Sequence, residues 1–444
     1  MLTRDIDLND AILDLLDNCV DGALRSNSNP QDLTQPYRGF EAKLTISKTS
    51  FQIEDNCGGI PKNARAYAFR MGRTVEHTEG GVGTVGVYGI GMKRAIFKIG
   101  TRAKIYSNHV DGAFEIDISP DWTKNESWVI PLVEKKFLDE QPKGTTINIT
   151  DLNPNISRKF SEDTYLTDLY DQIRHSLSFI IQKGFSIKLN GNEIKANPIT
   201  LMSDGKHIEP YIYKADIDGV KVDLAVGFYK NLESEDEDDA NSKRSSEDAG
   251  WTVICNDRVV LYCDKTYMTG WGHGKVPKFH TQFIAISGVV RFTSNDPEKL
   301  PITTTKRGVD LGSALYNDVR NKMMEGMLHF TKFTNQWKGE HLEEGKRILE
   351  KAQPALAQKF LDDITQNNIT STNGKWSNPN HNPNESRFIP NLPVPKTSNS
   401  KVRITFTKEI EDVKILSEYF YGIDDHSPSD IGSLCFDKIL GGVK

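Results

Sequence analysis

The 444-residue chain has little cysteine, no long apolar run and no surplus of basic charge, and each shortage excludes something. Its five cysteines, Cys19, Cys57, Cys255, Cys263 and Cys435, follow no regular spacing. They suit free thiols in a reducing cytoplasm rather than a zinc site or a disulfide framework. No apolar stretch is long enough to span a bilayer, and the start MLTRDIDLND lacks the apolar core of a signal peptide. A cytoplasmic protein without a membrane partner is expected. Basic residues number 55 against 61 acidic, a net charge of -6. A chain that coats DNA is normally basic, so any nucleic-acid contact must use a local patch. A charged fraction of 26% and a mean hydropathy of -0.50 fit a globular chain, and the length suits two or three domains.

Four glycine-punctuated fragments carry the chemistry: Asp14-Leu-Leu-Asp-Asn18-Cys-Val-Asp21-Gly22, Asp55-Asn-Cys-Gly58-Gly59-Ile60, Gly86-Val-Tyr-Gly89-Ile-Gly91-Met-Lys93, and Gly144-Thr145-Thr146. Residues 8–25 read as a helix, with Ile12, Leu13, Leu16, Val20, Ala23 and Leu24 at helical spacing. Asp10, Asp14, Asn18, Asp21 and Arg25 fall on the opposite face, a pattern that usually means solvation. Here strands at 42–48 and 51–54 follow and run straight into DNCGGI, which a plain surface helix does not predict. Further strands at 101–108, 113–118, 127–133 and 145–151 and a long helix at 159–182 give an α+β sandwich with a mostly antiparallel sheet.

Asn18 offers an amide oxygen, a hard ligand suited to Mg²⁺ that keeps phosphates and waters for its other positions. Asp14, one turn earlier, can orient or deprotonate a water attacking a γ-phosphate. Asp55 ends a strand, where a carboxylate can accept from an adenine amine, and Gly58 and Gly59 let the backbone approach the base. Gly86, Gly89 and Gly91 precede a helix start, so backbone amides there form an anion cradle. The polar, Gly-rich run 72–86 suits a lid over bound nucleotide.

With these motifs in this order the chain resembles the GHKL ATPases, the superfamily of DNA gyrase, heat-shock chaperones, histidine kinases and MutL. The wording DLLDNCVDGA, DNCGGI and GVYGIGMKRAIFKIG looks most like its bacterial, MORC-type branch. The resemblance covers roughly residues 1–185 and implies a Bergerat-type ATP-binding sandwich. It makes Asn18 the Mg²⁺ ligand and Asp55 the adenine reader, with Thr145 supporting the water network beside the base. The nucleotide contacts it implies are Asn18, Asp21, Asp55, Gly59, Ile60, Gly86, Val87, Tyr88, Gly89, Ile90, Gly91, Met92, Lys93 and Thr145. The family's general base is a Glu four residues before the Asn; Asp14 stands there instead. Many relatives also carry an N-terminal strap that exchanges between protomers, where only about seven residues precede this helix.

FSIKLNGNEI (185–194) reads as a hairpin opening a second domain, with strands near 211–228, 251–262 and 283–292 and a helix near 309–333. GWTVICNDRVV (250–260) and LPITTTKRGVD (300–310) resemble the transducer domain, of ribosomal S5-like fold, in MutL and MORC-type proteins. That likeness makes Lys306 a sensor of the γ-phosphate. The organisation expected is an ATP-binding domain at 1–184, a transducer-like domain at 185–335 with a disordered acidic loop near 231–248, a helical extension at 336–367, a linker at 368–400, and a small strand and helix segment at 401–444. GWGHGKVPKFH (270–280), with His273 and His280, reads as a Gly-rich turn rather than a nucleic-acid contact, and Cys19 as a core residue. The function expected is slow, Mg²⁺-dependent ATP hydrolysis driving a conformational and dimerisation switch, with Asp14 and Lys306 as the catalytic pair. The alternatives are a non-hydrolysing nucleotide-binding scaffold module and an ATP-gated DNA clamp in antiviral defence or DNA maintenance.

Overall fold

The computed structural model describes residues 6–27, 34–68, 91–120, 132–233, 247–362, 374–378, 384–395, 404–405 and 407–443. It divides into two units, Met1–Val394 and Pro395–Lys444.

The first unit begins with helix α1 (Leu8–Ser26), whose apolar side is buried along its whole length. An eight-stranded sheet follows, in the order β5-β4-β3-β6-β2-β1-β7-β8. Its strands are β1 (Glu41–Ile46), β2 (Phe51–Asp55), β3 (Gly100–His109), β4 (Gly112–Ile118), β5 (Leu132–Lys135), β6 (Gly144–Leu152), β7 (Ser186–Leu189) and β8 (Asn192–Glu193). Pairing is antiparallel throughout except between β1 and β7. Alternating residues such as Leu44, Ile53, Ile105 and Ile149 are buried with α1 residues in one core. That alternation is what a sheet with one covered face requires. Helices α2 (Lys62–Ala68) and α3 (Gly91–Ile99) lie between β2 and β3 in sequence.

The long helix expected at 159–182 is broken into α4 (Pro154–Lys159), α5 (Asp163–Ser176) and α6 (Ser178–Gln182). The 185–194 hairpin does not open the second sheet. β7 instead extends the first sheet beside β1, because Ile187 and Leu189 are buried in the first core.

A seven-stranded sheet, ordered β13-β12-β14-β11-β10-β17-β16, organises the rest of this unit. Its members are β10 (Tyr211–Ile217), β11 (Val220–Phe228), β12 (Gly250–Cys255), β13 (Arg258–Asp264), β14 (Ile286–Thr293), β16 (Gly374–Ser377) and β17 (Glu385–Pro390). Both faces are covered. Leu224, Val226, Val253 and Val290 pack with α7 (Ala314–Gln336), whereas Ala225, Ile254 and Val289 pack with Phe179 of α6 and Phe360 of α9 (Ala357–Asp362). Strand β11 is accordingly buried at every residue but Lys221. Within the expected helical extension, α8 (Leu342–Leu349) and α9 flank a strand, β15 (Gln353–Leu356), which pairs with β9 (Thr200–Ser203).

The expected linker at 368–400 is a second correction. β16 and β17 lie inside it and join the sheet through β10, with Trp376 packed on Phe388 at a ring separation of 5.7 Å. Strands of four and six residues between Asn- and Pro-rich turns are easily lost in a compositional reading. Most of the acidic loop falls outside the described residues.

The second unit contains α10 (Ile410–Tyr421), ended by Gly422 at φ 71°, and α11 (Pro428–Val443). Lys438 lies over the rings of Tyr419 and Phe420, and Ile431 is buried. No strand occurs among its described residues. Among the described residues no helix is long and apolar enough to cross a membrane.

Candidate nucleotide site

At one end of the site Asp55 closes β2. Its Oδ1 accepts from the backbone amides of Cys57 at 2.8 Å and Thr145 at 3.2 Å, and Cys19 Sγ approaches its Oδ2 at 3.5 Å. Desolvation outweighs these bonds and pushes Asp55 up to about 6. The Thr145 hydroxyl lies 3.2 Å from that of Ser107, which accepts from the Ile60 amide at 2.8 Å. Ser107 is fully buried and joins the turn 57–60 to β3 and β6, a role its position in the sequence did not signal. Two glycines keep this end open. A side chain at Gly59, which has φ 72°, would meet the Asn108 carbonyl at 2.4 Å, and one at Gly144 would meet the Asp55 carbonyl at 1.8 Å. Cys19 is buried and Trp271 packs against Phe279, so both follow the core and turn readings.

At the other end α3 begins at Gly91, directly against Asp14. A Cβ on Gly91 would lie 3.0 Å from Asp14 Oδ2. Lys93 is 8% exposed, and its Nζ has no hydrogen-bond partner among the described residues. Desolvation lowers it to about 8. A buried ammonium without a counter-charge is costly unless an anion fills the site, so Lys93 fits a phosphate group. Met92 is half-buried beside it. Gly86, Val87, Tyr88, Gly89 and Ile90, with the expected lid, lie outside the described residues.

Asn18 is exposed on α1, between half-buried Asp14 and buried Asp21. Among the described residues no group of three or more His, Cys, Asp or Glu side chains could hold a metal ion. An Mg²⁺ here would rest on the Asn18 amide oxygen together with phosphate and water oxygens.

The acidic face of α1 is not solvated. It meets three cations from the second-sheet half of the unit. Lys306 Nζ lies 2.7 Å from Asp17 Oδ2 and 3.4 Å from Asp14 Oδ1. Arg258 Nε lies 3.1 Å from Asp17 Oδ1, a charge contact without hydrogen-bond geometry. Arg307 pairs with Asp10 and, at 3.1 Å, with Asp7. Burial raises Asp14 above the usual carboxylate range despite Lys306. For Lys306, burial acts to lower the value, but Asp17 and Asp14 outweigh it and hold it above normal. Lys306 also sits at φ 56°, a left-handed conformation that costs a non-glycine residue about 1–3 kcal/mol and needs surrounding contacts to persist. Asp17, Arg258 and Arg307 were not singled out from the sequence. The spacing Asp10, Asp14, Asp17, Asp21, a helical stripe, was the available signal.

The start of α3 against Asp14, the buried Lys93 ammonium with no hydrogen-bond partner among the described residues, and the Asp55 pocket kept open by Gly59 and Gly144 are compatible with a bound nucleotide. Residues 6–147 match the family model of histidine kinase-, DNA gyrase B- and HSP90-like ATPases. The match spans about a third of the chain; it supports the GHKL superfamily for residues 6–147 and suggests ATP binding there. No curated protein matches the chain.

Proposed function

We propose that the chain is a slow, Mg²⁺-dependent ATPase of the GHKL type, in which a transducer-like second domain reads the state of the nucleotide through Lys306. The observation that carries this reading is the meeting of Lys306 with Asp14, 3.4 Å apart, where Asp14 touches the start of α3. Asp55 and Thr145 would hold the adenine end, and Lys93 and the α3 amides the phosphates. The metal supplies charge neutralisation on the phosphates. Asp14, with its raised affinity for a proton, orients or accepts a proton from the attacking water. Rates stay low because the water is only positioned. In this reading nucleotide binding favours a homodimer and hydrolysis reopens it.

Asp14→Asn tests the assignment. The variant should bind ATP as the wild type does while phosphate release falls at least about 100-fold. Undiminished turnover would remove Asp14 from the base role. A second reading, a non-hydrolysing regulatory module, is favoured by one fact: the Asp14 carboxylate already has Lys306 as a partner. Phosphate release that Asn18→Ala abolishes would exclude it. A DNA clamp gains no comparable support.

A further inference from the structure

Asp17 has no task in the chemistry just described, yet it is the most enclosed carboxylate of the α1 stripe, 1% exposed. It holds the Lys306 ammonium more closely than Asp14 does, 2.7 Å against 3.4 Å. Its other oxygen faces Arg258, itself 3% exposed and anchored by donating to the Ser176 carbonyl at 2.8 Å. The loop beneath Lys306 is tied by the Lys306 amide to the Thr303 carbonyl at 2.9 Å and by a bridge between Ile302 and Val309. That backbone is fixed in an unfavourable left-handed turn, so the place of the ammonium depends on what receives it.

We propose that Asp17 is the positioning residue that seats Lys306 at the nucleotide site, with Arg258 fixing Asp17 in turn. The proposal rests on the reading of Lys306 as a contact to the terminal phosphate. Two cations from the second-sheet half share one carboxylate of α1. If Lys306 turned from a lone Asp17 toward a phosphate, it would strand a buried charge, which is strongly unfavourable. Arg258 removes that obstacle, because Asp17 keeps a counter-ion when Lys306 turns. Asp14, exposed enough to reach water, loses the Lys306 ammonium at the same moment and is freed to act on the water.

Isothermal titration of the full chain with Mg²⁺, a non-hydrolysable ATP analogue and, separately, ADP tests this. Only the analogue carries the terminal phosphate, so the ratio of the two affinities reports where Lys306 sits. Lys306→Ala should lower the preference for the analogue about tenfold, the loss of one charge-assisted hydrogen bond. Asp17→Asn should lower it by a similar factor with ADP affinity unchanged, and the double variant should lose no more than Lys306→Ala alone. Asp17→Glu should restore part of the preference. If Asp17→Asn does not fold, Asp17→Asn with Arg258→Gln strands no buried charge and should show the same loss. The proposal is overturned if the preference survives these changes, if analogue and ADP weaken together, or if the Asp17 and Lys306 effects add. Wild-type chain that binds neither nucleotide would overturn the ATP-site reading itself.

Discussion

Lys93 and Asp55 bear opposite electrostatic burdens at the two ends of the site, and both burdens point to a ligand. Lys93 is a buried cation with no partner among the described residues, lowered to about 8 by desolvation. Replacing it with an apolar residue of similar size removes that penalty. Lys93→Met should therefore raise the thermal midpoint of the nucleotide-free protein, by the equivalent of about 1–2 kcal/mol, while weakening ATP binding at least tenfold. A melting curve and a titration read both effects; a lower midpoint would mean the lysine is already satisfied. Asp55 is held to about 6, above its ordinary 3.8, so the folded domain keeps a proton that the unfolded chain has released. Stability of the free domain should fall as pH rises from 3.8 through about 6. An adenine amine needs the ionised carboxylate. Nucleotide affinity should be flat above pH 6 and drop about tenfold per unit below it, and a pH-independent affinity would take Asp55 out of the pocket.

At the scale of elements, the site depends on close backbone approach. β6 starts at Gly144, whose missing side chain lets the Asp55 carbonyl come within what would be 1.8 Å of a Cβ. Gly144→Ala should destabilise the protein by about 3 kcal/mol or more and displace Thr145 from Asp55, read by denaturant unfolding. The helix, strand, strand and glycine turn that build this end were legible in the sequence, because one face of each is apolar and the period is clear. α1, β1 and β2 all stand within two residues of where the pattern put them. The breaks among α4, α5 and α6 were not legible, since all three share helical composition. Nor were β16 and β17, whose few strand residues draw their stability from partners distant in sequence. The acidic stripe was half legible. Its spacing was visible, but a charged helix face reads as solvated until the cations that cover it are known.

For the whole molecule, the two sheet-based halves of the first unit meet through a set of charge pairs. Asp7, Asp10, Asp14 and Asp17 of one face Arg258, Lys306 and Arg307 of the other. These pairs lie about 240–300 residues apart in the chain, so no local pattern could reveal them. Only the family wording around 300–310 pointed to Lys306. If nucleotide drives dimerisation, molecular mass in solution should double with Mg²⁺ and a non-hydrolysable ATP analogue and return on washing to ADP. An unchanged mass would leave a monomeric switch.

The central claim, that the second half senses the terminal phosphate through Lys306, is met most directly by hydrogen exchange on the full chain. With Mg²⁺ and the ATP analogue, amides in residues 301–310 should change their protection; with ADP they should not, and Lys306→Ala should abolish the difference. Protection changes confined to residues before 195 with either nucleotide would contradict the account.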